Sequence, residues 1–320
     1  MPELPEVEVV RRGLEPYVAS RVIERVEVLD ARSLKRHTGG AESFVRQLEG
    51  RRIRSVARRG KFLWAPLSDA GCAPSIPPPH GEALVIHLGM SGQLRVRDGA
   101  GRGAYQASEP HVSEGPASDP EKHLRIRLHM AGGSRIDFLD QRIFGGMHVS
   151  PLVNTPDGHA AGTGTKLPLI PKSAAHIARD LLDPALDEES LVRRIRMRRA
   201  PIKSVILDQG TVSGVGNIYA DEALWEAKLH FARSANGISS RKIRELLVAC
   251  RGVMQHALEV GGTSFDALYV NVDGRSGYFA RSLNAYGKHG TPCPRCGRAL
   301  VRVQFQNRSS HLCPYCQRRR

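Results

Sequence analysis

Four cysteines near one end constrain this chain more than any other feature. Cys293, Cys296, Cys313 and Cys316 form two Cys-x2-Cys pairs with sixteen residues between them. In a reducing compartment that spacing indicates a metal and not a disulfide, and two pairs argue against a redox dithiol. Four thiolates close a tetrahedral zinc site that leaves no position open to substrate, so the one zinc expected here is structural. Each pair makes a knuckle, and the residues from Ala299 to Leu312 make a hairpin carrying Gln304, Gln306, Asn307 and Arg308. Arg308 is placed to be aimed at a phosphate. Cys72 and Cys250 stand alone.

A polyanionic partner is indicated by charge. The 320 residues hold 47 Lys plus Arg against 32 Asp plus Glu, a formal charge of +15 with an isoelectric point of about 10.0. No acidic side chain follows Asp273, while ten Lys or Arg do. Between Glu189 and Asp208 lie Arg193, Arg194, Arg196, Arg198, Arg199 and Lys203. Such clustering fits a footprint on phosphates better than general solubility. A hydrophobic content of 41% and this length suit two domains with real cores. No basic-then-apolar leader and no apolar run long enough for a membrane span are present, so a cytoplasmic protein without membrane contact is expected.

The run Met1-Pro2-Glu3-Leu4-Pro5-Glu6 offers a nucleophile. With Met1 removed, Pro2 would present a secondary amine beside the Glu3 carboxylate. An α-amino group titrates near roughly 8 and a lysine near roughly 10.4, so far more of the terminal amine is unprotonated at neutral pH. A secondary amine attacking a sugar aldehyde gives an iminium that stays cationic and serves as an electron sink. Glu3 can supply or accept a proton beside it. The competing reading is that Pro2 and Pro5 merely open a helix.

Along the chain, Val7, Val10, Leu14 and Val18 recur at helical spacing. Strand patterns follow at Val22 to Leu29, Ile53 to Arg58, Phe62 to Leu67, Leu84 to Leu88, Leu124 to Met130 and Arg135 to Leu139, with a clean period of two in Leu124, Ile126, Leu128 and Met130. Residues 68–82 and 98–120 have the composition of surface loops, and the Pro- and Gly-rich stretch 154–175 reads as a hinge. Beyond it the pattern turns helical at Leu186 to Met197, Ile202 to Leu207, Ile218 to Lys228 and Ser240 to Val260. The last carries a core stripe from Ile243 to Leu258 and stops at Gly261. Between two of these helices, Gly210 to Tyr219 is a glycine turn whose next helix start can face a phosphate. Its spacing is not a nucleotide-binding fingerprint, which leaves backbone binding to DNA or an ordinary helical hairpin.

Taken together, Met1 to Glu8, Arg59-Gly60-Lys61, His87-Leu88-Gly89-Met90-Ser91-Gly92, Asp140-Gln141-Arg142-Ile143-Phe144-Gly145, Gly214 to Glu222 and the cysteine pairs resemble the bacterial formamidopyrimidine-DNA glycosylase family. The resemblance covers nearly everything except the two loops and the hinge. It implies an α+β multidomain fold: an N-terminal β-sandwich flanked by helices (1–153), a hinge (154–175), a helix-two-turn-helix domain (176–284) and a four-cysteine zinc finger (285–320). It also implies excision of oxidised purines such as 8-oxoguanine and formamidopyrimidines from double-stranded DNA in base excision repair, followed by β,δ-elimination at the abasic site. The expected setting is a monomer in the bacterial cytoplasm, associated with the nucleoid.

Carried over residue by residue, the resemblance makes Pro2 the nucleophile at C1' and Glu3 its acid. Lys61 and Arg308 become phosphate contacts serving β- and δ-elimination. Met90, Arg142 and Phe144 match the three side chains inserted where the base leaves the stack. His87, His123, Arg198, Lys203 and Asn217 match positions near the DNA backbone. Gln141 and Ile143 depart from the usual proline and second arginine, which bears on opposite-base preference. Residues Gly261 to Tyr278 look slightly longer than usual in a stretch that, in the family, helps cover the extruded base. Two alternatives stand beside this reading. An endonuclease VIII-like glycosylase would take oxidised pyrimidines, but Leu4 and the Met90, Arg142 and Phe144 trio favour the purine enzyme. A catalytically silent DNA-binding paralogue would have no chemical reason to keep Pro2, Glu3, Lys61 and Arg308 together.

Overall fold

The computed structural model describes residues 2–71, 81–97, 121–261 and 282–319. Cys72, most of the loop 68–82, all of the loop 98–120 and the covering stretch after Gly261 lie outside the described residues. The chain divides into two units: one holds Pro2 and Glu6–Ala175, the other Glu3–Pro5 and the described residues from His176 onward.

In the first unit, apolar side chains at helical and alternating spacing converge on one core. Helix α1 (Leu4–Val18) buries Val7, Val10, Leu14 and Val18, and α2 (Gly40–Leu48) buries Phe44 and Leu48. One antiparallel sheet has the order β1 (Ile23–Val28), β7 (Leu124–Met130), β8 (Arg135–Asp140), β6 (Gly92–Arg97). In β7 every second residue is buried, as a strand with one covered face requires. The other sheet runs β10 (Leu169–Pro171), β9 (Gly146–Asn154), β5 (Glu82–His87), β4 (Phe62–Asp69), β2 (Arg51–Ile53), with β3 (Ala57–Arg59) also on β4. Leu63, Leu67, Leu84 and Ile86 of this sheet meet Leu94, Ile126, Leu128 and Phe138 of the first in the same cluster, which makes the unit a β-sandwich.

Strand β4 is buried on both faces because the expected hinge lies over it. Thr163 exchanges backbone hydrogen bonds with Arg58, at 2.9 and 3.0 Å. A Cβ at Gly162 would collide with the Arg58 carbonyl and stand 3.2 Å from the Trp64 ring. Residues 169–171 are a strand paired with Leu152 to Asn154. The chain therefore changes units at Ala175, after Gly162 and residues 169–171 have been joined to the first.

The second unit is helical. Helix α3 (Glu188–Arg196) starts at Asp187, whose carboxylate accepts the Ser190 N–H, and α6 (Ser240–Glu259) starts at Ser239, whose hydroxyl accepts the Lys242 N–H. Between them, α4 (Ile202–Leu207) and α5 (Asn217–Glu226) flank the glycine turn. The stripe Ile243, Leu246, Leu247, Cys250, Met254 and Ala257 is buried, as its spacing predicts. Complete burial pushes the Cys250 thiol up to about 12. Beyond α6 comes the hairpin of β11 (Val301–Phe305) and β12 (Arg308–Leu312), closed by Gln306 and Asn307. No helix among the described residues is long and apolar enough to cross a membrane.

Candidate active site and nucleic-acid interface

The start of α5 organises the candidate residues of the second unit. Its first backbone N–H groups lack helical partners, and one carboxylate takes them: Ile218 N–H donates to Glu3 Oε1 at 3.0 Å and Tyr219 N–H to Glu3 Oε2 at 3.4 Å. The helix dipole favours negative charge at that point. Gly216 makes room, since a Cβ there would collide with the Glu3 carboxylate. Leu4 N–H donates to the Gly214 carbonyl at 3.1 Å. Glu3 is thus fixed, and Pro2, buried in turn, is its covalent neighbour.

Helix α5 also grips the hairpin. The Asn217 side-chain amide donates to the Ser309 carbonyl at 3.0 Å. Asp221, one turn on, accepts Lys203 Nζ at 2.6 Å and the His311 N–H at 2.8 Å. The Lys203 ammonium donates as well to Ser310 Oγ at 2.7 Å and to the Ser309 carbonyl at 3.1 Å. Lys203 is 0% exposed and its three donors are taken, so in this structure it ties α4 to β12 instead of facing a phosphate. Burial, first of all, lowers its pKa. Arg308, next to the gripped Ser309, is exposed at the head of β12, and Arg198 is exposed after α3. Glu222 holds the chain entering the finger, accepting N–H bonds from Asn284, Ala285 and Tyr286 at 2.9, 2.8 and 2.7 Å.

In the first unit, Lys61 sits on the two-residue turn between Arg59 and Phe62, with Gly60 at φ +55°. Arg58 supports that turn from below: it donates to the Gly60 carbonyl at 3.1 Å and pairs with Glu8 at 2.9 Å, both side chains buried. Burial pushes the Glu8 carboxyl up, but hydrogen bonds and charges from Arg11 and Arg58 outweigh it and leave the pKa below the ordinary value. His87, at the end of β5, packs against Phe62 with ring centroids 5.1 Å apart and the planes tilted by 54°. Burial, followed by the charges of Arg36, Lys61 and Lys35, holds its pKa at about 4. The ring is therefore neutral at pH 7, and its Nδ1 accepts the Gly89 N–H at 3.1 Å, which leaves Nε2 as the protonated nitrogen.

Two loops beside His87 carry the trio expected to fill the vacated stack. Met90 is 41% exposed and Phe144 51%, so both side chains are open to a partner instead of being packed into the core. Arg142 is exposed between them in sequence. The loops meet through backbone: a Cβ on Gly89 would collide with Gly145 N, and one on Gly145 would lie 2.5 Å from the His87 carbonyl. Buried Asp140 binds both, accepting from Ser91 Oγ at 2.6 Å, Arg142 N–H at 3.1 Å and Gly145 N–H at 2.7 Å. The His123 carbonyl accepts the Asp140 N–H at 2.9 Å, which brings His123 into the same group. Sequence reasoning missed Asp140, Asp221 and Glu222 as organisers. Asp140 had a signal: an Asp opening a short polar turn commonly accepts backbone N–H groups from the residues that follow.

The four paired cysteines have sulfurs within 4.8 Å of one another. Bonds of about 2.3 Å from a central zinc place tetrahedral sulfurs roughly 3.8 Å apart, so the cluster fits one structural zinc. Trp225 packs with Cys293 and Cys313 in a small core of its own, and Arg295 lies 3.8 Å over its ring.

Comparison with known proteins agrees with this geometry. Residues 1–147 match the formamidopyrimidine-DNA glycosylase N-terminal domain, 177–268 the H2TH domain of the same enzyme, and 290–319 a zinc finger found in FPG and IleRS. The chain is 50% identical over 317 residues to the formamidopyrimidine-DNA glycosylase of Rhodococcus erythropolis, covering 99% of this chain and 97% of that one. Against the enzyme of Leifsonia xyli the identity is 49% over 322 residues, with 99% and 100% covered. Among solved structures, the MutM (Fpg) protein of Thermus thermophilus superposes with a TM-score of 0.75 at 32% identity, over 99% of this chain and 98% of that one. The Lactococcus lactis Fpg bound to abasic-site DNA gives 0.74 at 26%, over 99% and 100%. With three domains matched in order and about half of all residues shared end to end with curated members, the chain belongs to the formamidopyrimidine-DNA glycosylase family.

Proposed function

We propose that this protein is a base excision repair glycosylase and abasic-site lyase that removes oxidised purines from duplex DNA through Pro2. The observation that carries this reading is the seating of Glu3 on the first turn of α5, at 3.0 and 3.4 Å, which fixes the residue bonded to the nucleophile. The Pro2 nitrogen, freed of Met1, attacks C1' and the C1'–base bond breaks, with the departing base taking a proton that Glu3 can relay. The amine loses its proton, the C1'–O4' bond opens with a proton passing to O4', and the resulting iminium acidifies the C2' hydrogen. Its loss expels the 3' phosphate, and a further elimination expels the 5' phosphate. Lys61 on its rigid turn and Arg308 on its gripped hairpin are the cations that would steady those phosphates and serve the two eliminations. Neutral His87, with Asn217 and Arg198, would hold the backbone, while Met90, Arg142 and Phe144 occupy the vacated stack and meet the orphaned cytosine.

Borohydride reduction during reaction with an 8-oxoguanine duplex tests the nucleophile. Wild-type protein should be trapped covalently with the sugar on Pro2, and Pro2→Gly should not be trapped while keeping its DNA affinity. Location of the adduct on another side chain would overturn the proposal.

A further inference from the structure

We propose that Asp140, with Ser91, is a positioning pair that makes Met90, Arg142 and Phe144 act as one unit; this rests on the reading that those three fill the vacated stack. Asp140 is 0% exposed, and a buried carboxylate is retained only where its oxygens are satisfied. Its partners come from two loops. Oδ1 accepts the Ser91 hydroxyl, one residue past Met90, and the backbone N–H of Arg142, and Oδ2 accepts the N–H of Gly145, one residue past Phe144. The Ser91 hydroxyl in turn accepts the Arg142 N–H at 3.2 Å, so that hydroxyl is the bridge between the loops. Asp140 itself is held by backbone: its N–H goes to His123 and its carbonyl accepts Arg125 Nε at 2.9 Å.

Between the clamped ends, Ile143 has φ +55°, a region that a β-branched residue enters at a cost and keeps only where the surroundings over-determine it. The clamp supplies that determination, together with Lys35 Nζ donating to the Ile143 carbonyl at 3.3 Å. None of these groups need touch DNA. Their effect reaches the lesion through the three exposed side chains, whose mutual placement is set before the base leaves the stack.

Ser91→Ala and Asp140→Asn test the pair on two substrates: an 8-oxoguanine duplex, which needs the stack refilled, and a single-stranded abasic oligonucleotide, which does not. Each variant should lose roughly tenfold in kcat/KM on the duplex, the scale of one unmade buried hydrogen bond, with a several-fold smaller loss on the single strand. The preference for cytosine over adenine opposite the lesion should narrow as well. Equal losses on both substrates, or none, would overturn the positioning role. Should Asp140→Asn fail to fold, Ser91→Ala, which keeps the carboxylate, decides alone. Wild-type protein inactive on both substrates would sink the catalytic reading itself, an outcome distinct from a variant with an unchanged ratio.

Discussion

A basic side chain's surroundings decide whether its charge serves DNA or the fold, and Lys203 and Arg198 separate the two cases. Lys203 sits in a basic run and resembles a phosphate contact by position, yet its partners Asp221 and Ser310 lie 18 and 107 residues away in sequence. Residue type and local charge were legible; a distant carboxylate was not. Lys203→Met should destabilise the second unit by about 3–5 kcal/mol, because a buried partner is left uncompensated. The salt dependence of DNA binding should barely change in that variant. Arg198, exposed and 3.4 Å from Asp208, should behave oppositely in Arg198→Ala: stability within about 0.5 kcal/mol and a log–log salt slope smaller by about 1. Denaturant titration and fluorescence anisotropy measure the two. His87 and His148, the latter buried on β9 with its Nε2 2.9 Å from Ser173 Oγ, carry a prediction of a different kind. Burial leads the causes that lower both rings to about 4, from a reference value of 6.5. The unfolded chain binds more protons between those values, so this contribution is full above about pH 6.5 and is lost as the pH falls toward 4. The first unit's Tm should drop by at least about 3 °C between pH 7 and pH 5.

Among elements, the zinc hairpin was the most legible and the expected hinge the least. Ligand spacing names a zinc knuckle because tetrahedral sulfur geometry admits few alternatives. Chelating the zinc should lower DNA affinity by roughly tenfold, since Arg308 depends on β12, while Asn217 and Lys203 still hold Ser309; one lost charge-assisted contact has that scale. Trp225, packed on two of the ligands, should report the loss by fluorescence, and unchanged affinity after chelation would contradict the role given to Arg308. The stretch 154–175 misled because glycine serves flexibility and close approach alike. Gly162 and Gly164 are there so that backbone can lie on the carbonyls of Arg58 and Val56. Strand β7 was readable from its alternation. The expected strand Ile53 to Arg58 is instead split between β2 and β3, and β9 went unread because its pairing with Glu82 to His87 is not local.

Across the whole molecule, the excess of +15 favours a polyanion, and the number of phosphates met sets how strongly binding responds to salt. Counterions released from DNA phosphates make log K fall linearly with log salt. If Lys61, Arg198 and Arg308 each meet a phosphate, affinity should fall by more than roughly an order of magnitude between about 50 and 200 mM salt. A flat profile would contradict the interface. Broad features such as charge, two cores and the cysteine site were open to the sequence, whereas the carboxylates that arrange the site were not, because their partners are backbone amides brought near only by folding. One practical consequence follows from the start of the chain. Every residue from Pro2 to Glu8 is buried, whereas Arg318 and Arg319 are exposed. An affinity tag fused ahead of Pro2 would block the amine, so recombinant protein intended for assay should carry its handle at the other end.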